Sequence, residues 1–183
     1  MKVMKELDMP GVFAIELFHA KDERGVFVKT FHLPTLEKHG LSGKFEESFY
    51  SVNKRGVIRG MHFQLPPFAH SKLIYCTRGR LIDVAVDLRV GSPTYGRWID
   101  LELNENNHTA IYLPIGVAHG FAVLEDHTTM IYHTSTVHAP KHDAGIRYDS
   151  FGYDWPFEGI HSERDLSFPE LSAFKSPFIY HEN

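Results

Sequence analysis

Residues Arg80 to Leu88 read RLIDVAVDL. Ile82, Val84, Val86 and Leu88 fall on one face of an extended chain, and Asp83, Ala85 and Asp87 fall on the other. A period of two belongs to a β-strand, not to a helix. Working outward, TAIYL (109–113), FAVLE (121–125) and MIYHTST (130–136) read as further short strands. GSPTYG (91–96), NENN (104–107) and LEDH (124–127) supply turn residues between them. Short strands at regular spacing predict an all-β sandwich or barrel. Helix is scarce. LPTLEKHG (33–40) predicts one short helix stopped by Gly40, and SERDLSF (162–168) predicts a second, opened by Ser162 with Asp165 three residues on. No repeat, linker or low-complexity tract interrupts the chain, so one domain over 1–183 is expected. A rolled β architecture hides strand edges, and its inward positions can line a ligand cavity.

The totals narrow the function. The 183 residues carry 43% hydrophobic and 23% charged side chains, ordinary for a globular protein. The net charge is −4, with no basic block, which argues against nucleic acid as a partner. The single cysteine, Cys76, allows no internal disulfide and fits a reducing compartment. MKVMKELDMPGVF lacks the apolar core of a signal peptide, and no run reaches about 18 apolar residues. The expectation is a soluble cytoplasmic protein with no membrane partner. Thirteen histidines are many, and histidine both titrates near neutrality and binds metals. His138, His142, His161 and His181, in Pro- and Asp-rich or terminal stretches, read mostly as surface residues.

Two chemistries compete around GVIRGMHFQLPPFAHSKLIY (56–75). The first is a metal site. PIGVAHG has the form P-x-G-x-x-H, ending at His119, and resembles half of the cupin metal pattern. Gln64 stands where the other half needs its second histidine, and no glutamate follows. Metal centres need three or four ligands. The second chemistry is proton transfer without metal. A histidine base, His62, and a tyrosine acid, Tyr132, can act on opposite faces of one carbon. Lys72 can stabilise charge developing on an oxygen, and Asp165 can orient a histidine. The plainer reading of Ser162 and Asp165 is a helix capping box, and that of Tyr132 is packing. Strand alternation sets Arg59 and His62 on opposite faces unless Gly60 marks a bulge.

The blocks GVIRGMHFQLPP, HSKLIYCTRG, DVAVDLRVGSPTYGRW, LPIGVAHGF, IYHTST and SERD resemble, in order and spacing, the dTDP-4-dehydrorhamnose 3,5-epimerase family. The resemblance runs from about Asp22 to Asp165. It implies a cupin-like β jelly roll, a homodimer exchanging an N-terminal segment, no metal or organic cofactor, and a nucleotide-diphosphate 4-keto-6-deoxy sugar as substrate. The implied reaction removes the proton at C5, and commonly at C3, and reprotonates the enolate from the other face. By that resemblance His62 is the base, Asp165 its partner, Tyr132 the acid, and Lys72 the group near the keto oxygen. Arg59 resembles a diphosphate contact, Arg24 and Phe27 resemble the nucleotide-binding segment from the partner copy, and His119 supports the pocket. Gln64, the residue that breaks the metal pattern, lines the pocket in this reading.

Several positions depart from the family. Lys29 replaces an acid, Glu47 and Phe49 replace glutamine and asparagine, and His133 and His138 replace lysine and tyrosine. A Lys29 donor with a Glu47 acceptor suits cytosine better than thymine, and a changed His138 puts the C3 step in question. A CDP-linked 5-epimerase of the ascarylose type is therefore an alternative expectation. A metal-dependent cupin oxygenase or isomerase, a ketoisomerase on the same fold, and a non-catalytic sugar-binding jelly roll complete the alternatives.

Overall fold

The computed structural model describes residues 3–182. In chain order the elements are β1 (Val3–Glu6), β2 (Phe13–Glu16), β3 (Phe18–Asp22), β4 (Gly25–Lys29), α1 (Leu33–Lys38), β5 (Glu47–Asn53), β6 (Ile58–Gln64), β7 (Lys72–Arg78), β8 (Arg80–Asp87), β9 (Trp98–Asn104), β10 (Thr109–Leu113), β11 (Val117–Val123), β12 (Thr128–Thr134), β13 (Asp143–Gly145) and α2 (Glu163–Leu166). Six strands form one sheet in the order β1-β2-β10-β7-β12-β5, and five form another in the order β13-β6-β11-β8-β9. Neighbours in both sheets run antiparallel. β3 and β4 make a separate hairpin. This is the all-β jelly roll expected, with both short helices where the sequence predicts them. Gly40 follows α1 with a φ of 71°, the left-handed stop.

Apolar side chains make three layers. Between the sheets, Ile74, Ile111 and Met130 of one meet Leu81, Val117 and Phe121 of the other. Outside the five-stranded sheet, Val84, Val86, Met61 and Phe63 are covered by Ile146, Phe151 and Phe178 from the C-terminal third. Outside the six-stranded sheet, Leu73, Tyr75 and Tyr112 are covered by Leu36 of α1. Each fully buried aliphatic side chain contributes about 1.5–3 kcal/mol. RLIDVAVDL is thus covered on both faces, and its polar residues are not solvated: Asp83 and Asp87 are both 0% exposed. Asp87 ties down the GSPTYG turn. Its carboxylate accepts from Arg89, Ser92 and Thr94 at 2.6–2.9 Å.

The feature that shapes the open end of the sandwich is at Gly60. β6 pairs with β11 as His119 to His62 and then Phe121 to Arg59, so three steps on β6 face two on β11. That is a bulge, and it returns Arg59 and His62 to the same inner side. Gly60 has a φ of 131°, and a Cβ there would lie 2.5 Å from the Gly120 Cα. No other residue type fits without moving a backbone. Gly60→Ala should therefore lower stability by about 2–3 kcal/mol in urea unfolding. Gly91→Ala, at a φ of 86° with open space around it, should cost only about 1 kcal/mol. Equal losses would contradict the close-approach account.

Candidate active site

At this end of the sandwich the inner positions turn polar and surround a cavity of about 260 Å³. β6 supplies Arg59 and His62, β7 Lys72, β11 His119, β12 Tyr132 and Thr134, and β5 Glu47, Phe49 and Ser51. His62 and Tyr132 therefore stand on opposing sheets.

His62 is held from below. Its Nε2 lies 2.7 Å from Asp165 Oδ1, across 103 residues of chain. The other carboxylate oxygen accepts the Gly60 N–H at 3.1 Å. Asp165 sits in the first turn of α2, where Ser162 Oγ accepts its N–H at 3.1 Å. Ser162 thus caps the helix while the Asp165 carboxylate turns away to His62. Burial pushes the Asp165 carboxyl up, but its bonds to His62, Gly60 and Ser162 outweigh that and hold it below the usual carboxylate range. With Nε2–H donating to Asp165, Nδ1 of His62 is left as the acceptor. Phe168 meets the imidazole edge-on at 5.8 Å.

On the opposite wall, Tyr132 stacks on Phe49 at 4.7 Å and lies 3.3 Å from Ser51 Oγ. Arg59 Nε donates to Asn53 Oδ1 at 2.8 Å, so the Asn53 amide nitrogen faces Ser51 and the Thr128 carbonyl. Ser51 Oγ therefore accepts from Asn53, and between Ser51 and Tyr132 either hydroxyl can be the donor. Burial raises the phenol's pKa further, with Ser51 opposing it.

Between the two walls lie buried charges. Lys72 Nζ donates to the His62 carbonyl at 3.1 Å, and burial draws its pKa down to about 8 against the pull of Asp83 and Asp143. His119 Nε2 is 2.7 Å from Asp83 Oδ2, and burial holds His119 below its usual range although Asp83 opposes it. His62 and His119, the pair opposite each other in register, each spend Nε2 on their own carboxylate. No group of three or more His, Cys, Asp or Glu side chains converges on a metal position among the described residues.

The structure brings His62, Asp165, Lys72, Tyr132, Arg59, His119, Glu47 and His138 to one place. Glu47 accepts the His138 N–H, which pins the loop after β12 to β5. Gln64 lines the cavity, is 3% exposed, and through its amide braces the loops at Phe68, His70, Val137 and Ala139. Arg24, Phe27 and Lys29 stand on the exposed β3–β4 hairpin, outside this chain's cavity. Arg24 forks onto Asp22, and Lys29 lies over Phe18. Asp83, Ser51 and Asn53, and the Asp143–Arg164 pair at 2.6 Å on the rim, join the site without having been singled out in the sequence. The alternation of RLIDVAVDL did mark Asp83 as an acid sharing a face with Ala85.

Residues 6–173 match the family described as dTDP-4-dehydrorhamnose 3,5-epimerase. A protein of that name from Sinorhizobium fredii is 40% identical over 164 residues, covering 87% of this chain and 84% of its own. A dTDP-4-dehydrorhamnose 3-epimerase from Streptomyces niveus is 36% identical over 156 residues, covering 84% of this chain and 75% of its own. The crystal structure of dTDP-6-deoxy-D-glucose-3,5-epimerase from Legionella pneumophila, in complex with dTDP-4-keto-L-rhamnose, superposes with a TM-score of 0.93 at 29% identity, over 98% of this chain and 99% of its own. These findings correct the cytosine-nucleotide reading, since the family and these relatives are named for dTDP sugars. Within this chain Glu47 is already bonded to the His138 N–H. A match to epimerases also sets aside the oxygenase, ketoisomerase and sugar-binding readings.

Two measurements test the electrostatics. Asp165→Asn keeps one acceptor where two donors need one, so stability should fall by about 1–3 kcal/mol; an unchanged urea midpoint would contradict the double bond. Lys72 titrates near 8 when folded and near 10.5 when unfolded. Between those values the unfolded chain binds more protons, so stability gains with rising pH. Compared with Lys72→Met, the wild type should gain about 3 kcal/mol from pH 8 to 10.5. A flat difference would place Lys72 in a solvated setting.

Proposed function

The chain belongs to the dTDP-4-dehydrorhamnose 3,5-epimerase family, and from that premise we propose that the cavity inverts C5 and C3 of a nucleotide-diphosphate-linked 4-keto-6-deoxy sugar. The observation that carries this reading is the pairing of walls. An imidazole tied to a buried carboxylate faces, from the other sheet, a phenol that lines the same cavity.

The chemistry follows from the ketone. A proton on a carbon beside a carbonyl is acidic because the carbanion delocalises onto oxygen as an enolate. His62 Nδ1 takes that proton, and the Asp165 carboxylate stabilises the imidazolium that results. The developing oxyanion is met by Lys72, whose ammonium is held at the cavity floor by the His62 carbonyl. Tyr132 then delivers its proton to the opposite face, and the configuration is inverted. Before the next turnover the His62 imidazolium gives its proton to solvent and the Tyr132 phenolate takes one up. Arg59, exposed and fixed by Asn53, takes the diphosphate as a bidentate guanidinium.

A homodimer belongs to the same proposal. The hairpin exposes Phe27 at 61% and Val26 at 49%, and the outer face of β5 exposes Tyr50 at 69% and Val52 at 55%. Apolar side chains of this size call for cover. A second copy laid there would bring Arg24, Phe27 and Lys29 toward its neighbour's nucleotide.

The test is deuterium exchange followed by NMR with a dTDP-4-keto-6-deoxy sugar in heavy water. His62→Asn should lose solvent deuterium at C3 and C5 by about 10³-fold or more. Tyr132→Phe should lose inversion while still exchanging, because abstraction precedes its step. Normal exchange in His62→Asn would overturn the assignment of the base.

A further inference from the structure

His70 has no part in the reaction just described, yet it lines the same cavity. Its Nδ1 lies 3.1 Å from Gln64 Nε2. The orientation of that amide is fixed by three backbone groups. Gln64 Oε1 accepts the Ala139 N–H at 2.7 Å, which only an oxygen can do. Gln64 Nε2 donates one hydrogen to the Phe68 carbonyl at 2.8 Å, and its second points between His70 Nδ1 at 3.1 Å and the Val137 carbonyl at 3.3 Å; an amide nitrogen cannot accept. The amide therefore presents an N–H to His70, and Nδ1 must be the acceptor. In the neutral ring the proton then sits on Nε2.

That Nε2 is buried and has no hydrogen-bond partner among the described residues. Native proteins seldom leave a buried donor unpaired, because the desolvation cost is not recovered. The ring is also kept from taking a second proton. Burial, together with the charges of Lys72, His138 and His119, draws its pKa down to about 3. No acceptor among the described residues lies within hydrogen-bond distance of that Nε2–H. The acceptor then comes from what fills the cavity, water in the free protein and the ligand when it is bound.

We infer that His70 is a substrate-positioning residue whose Nε2–H donates to an oxygen on the sugar of the bound sugar nucleotide. The inference rests on the epimerase reading above for the identity of that sugar. Gln64 sets the tautomer, and through Gln64 the turn at Phe68 and the loop at Val137–Ala139 are braced behind the ring. The arrangement keeps one neutral donor beside Lys72 across the working pH range.

Two substitutions separate this role from packing. His70→Leu fills the space without a donor and should lower kcat/KM about ten-fold. His70→Gln can accept from Gln64 through Oε1 and donate into the cavity through Nε2, so it should stay within about three-fold of wild type. Urea midpoints of both should match the wild type. In protein labelled with ¹⁵N-histidine, His70 should carry its proton on Nε2, and that resonance should shift when a dTDP-4-keto-6-deoxy sugar is added. Unchanged kcat/KM in His70→Leu, equal losses in both variants, a proton on Nδ1, or no shift on addition of the sugar nucleotide would each overturn the inference. If the wild type binds but neither exchanges nor epimerises, the epimerase reading fails instead, and the resonance shift still decides the role of His70.

Discussion

The carboxylate of Asp165 is the constraint on which the site depends. One oxygen holds His62 and the other holds the backbone N–H of Gly60. The same side chain thereby fixes the base and the bulge that aims it. Neither half works alone. Without the bulge, Arg59 and His62 would point to opposite sides of β6, and without the carboxylate the imidazole would have no preferred tautomer. A buried carboxylate is expensive unless its lone pairs are filled, and here the Ser162 cap, the Gly60 amide and the imidazole surround it. The C-terminal chain that covers the five-stranded sheet is therefore also what completes the site.

The same principle extends across the cavity. Asp83 with His119, Lys72 with the His62 carbonyl, and Arg59 with Asn53 and Ser51 are each a polar side chain with a fixed partner inside the sandwich. The apolar layers on both outer faces and in the middle supply the stability that lets one end of the interior be polar. Rigid strands position these groups more closely than loops would, and pre-positioned dipoles need no reorganisation when charge develops.

Much of this was legible in the sequence. Period-two alternation gave β8, and turn residues gave its neighbours, because both are local signals. The resemblance in ordered blocks brought His62, Lys72, Tyr132 and Asp165 into one proposal. Other features were not legible. β2 is short and mostly half-buried, and β3 and β4 are almost wholly exposed, so their alternation is faint. The alternation of β8 does not say which face is the sandwich interior, because the C-terminal segment that covers Val84 and Val86 is distant in sequence. The four partners of Gln64 come from turns that no local pattern places beside it. His70 had no role until the direction of the Gln64 amide was known. The cytosine reading rested on two side chains whose surroundings no local pattern gives, and the family match set it aside.

The central claim is that two different groups, on two different sheets, handle the proton. A substrate carrying deuterium at C5, turned over once in ordinary water, tests it most directly. Removal by His62 and return by Tyr132 predict a product whose C5 carries solvent hydrogen, with the deuterium lost. A product that keeps a substantial share of its deuterium at the inverted C5 would mean that one group both takes and returns the proton, and would contradict the account.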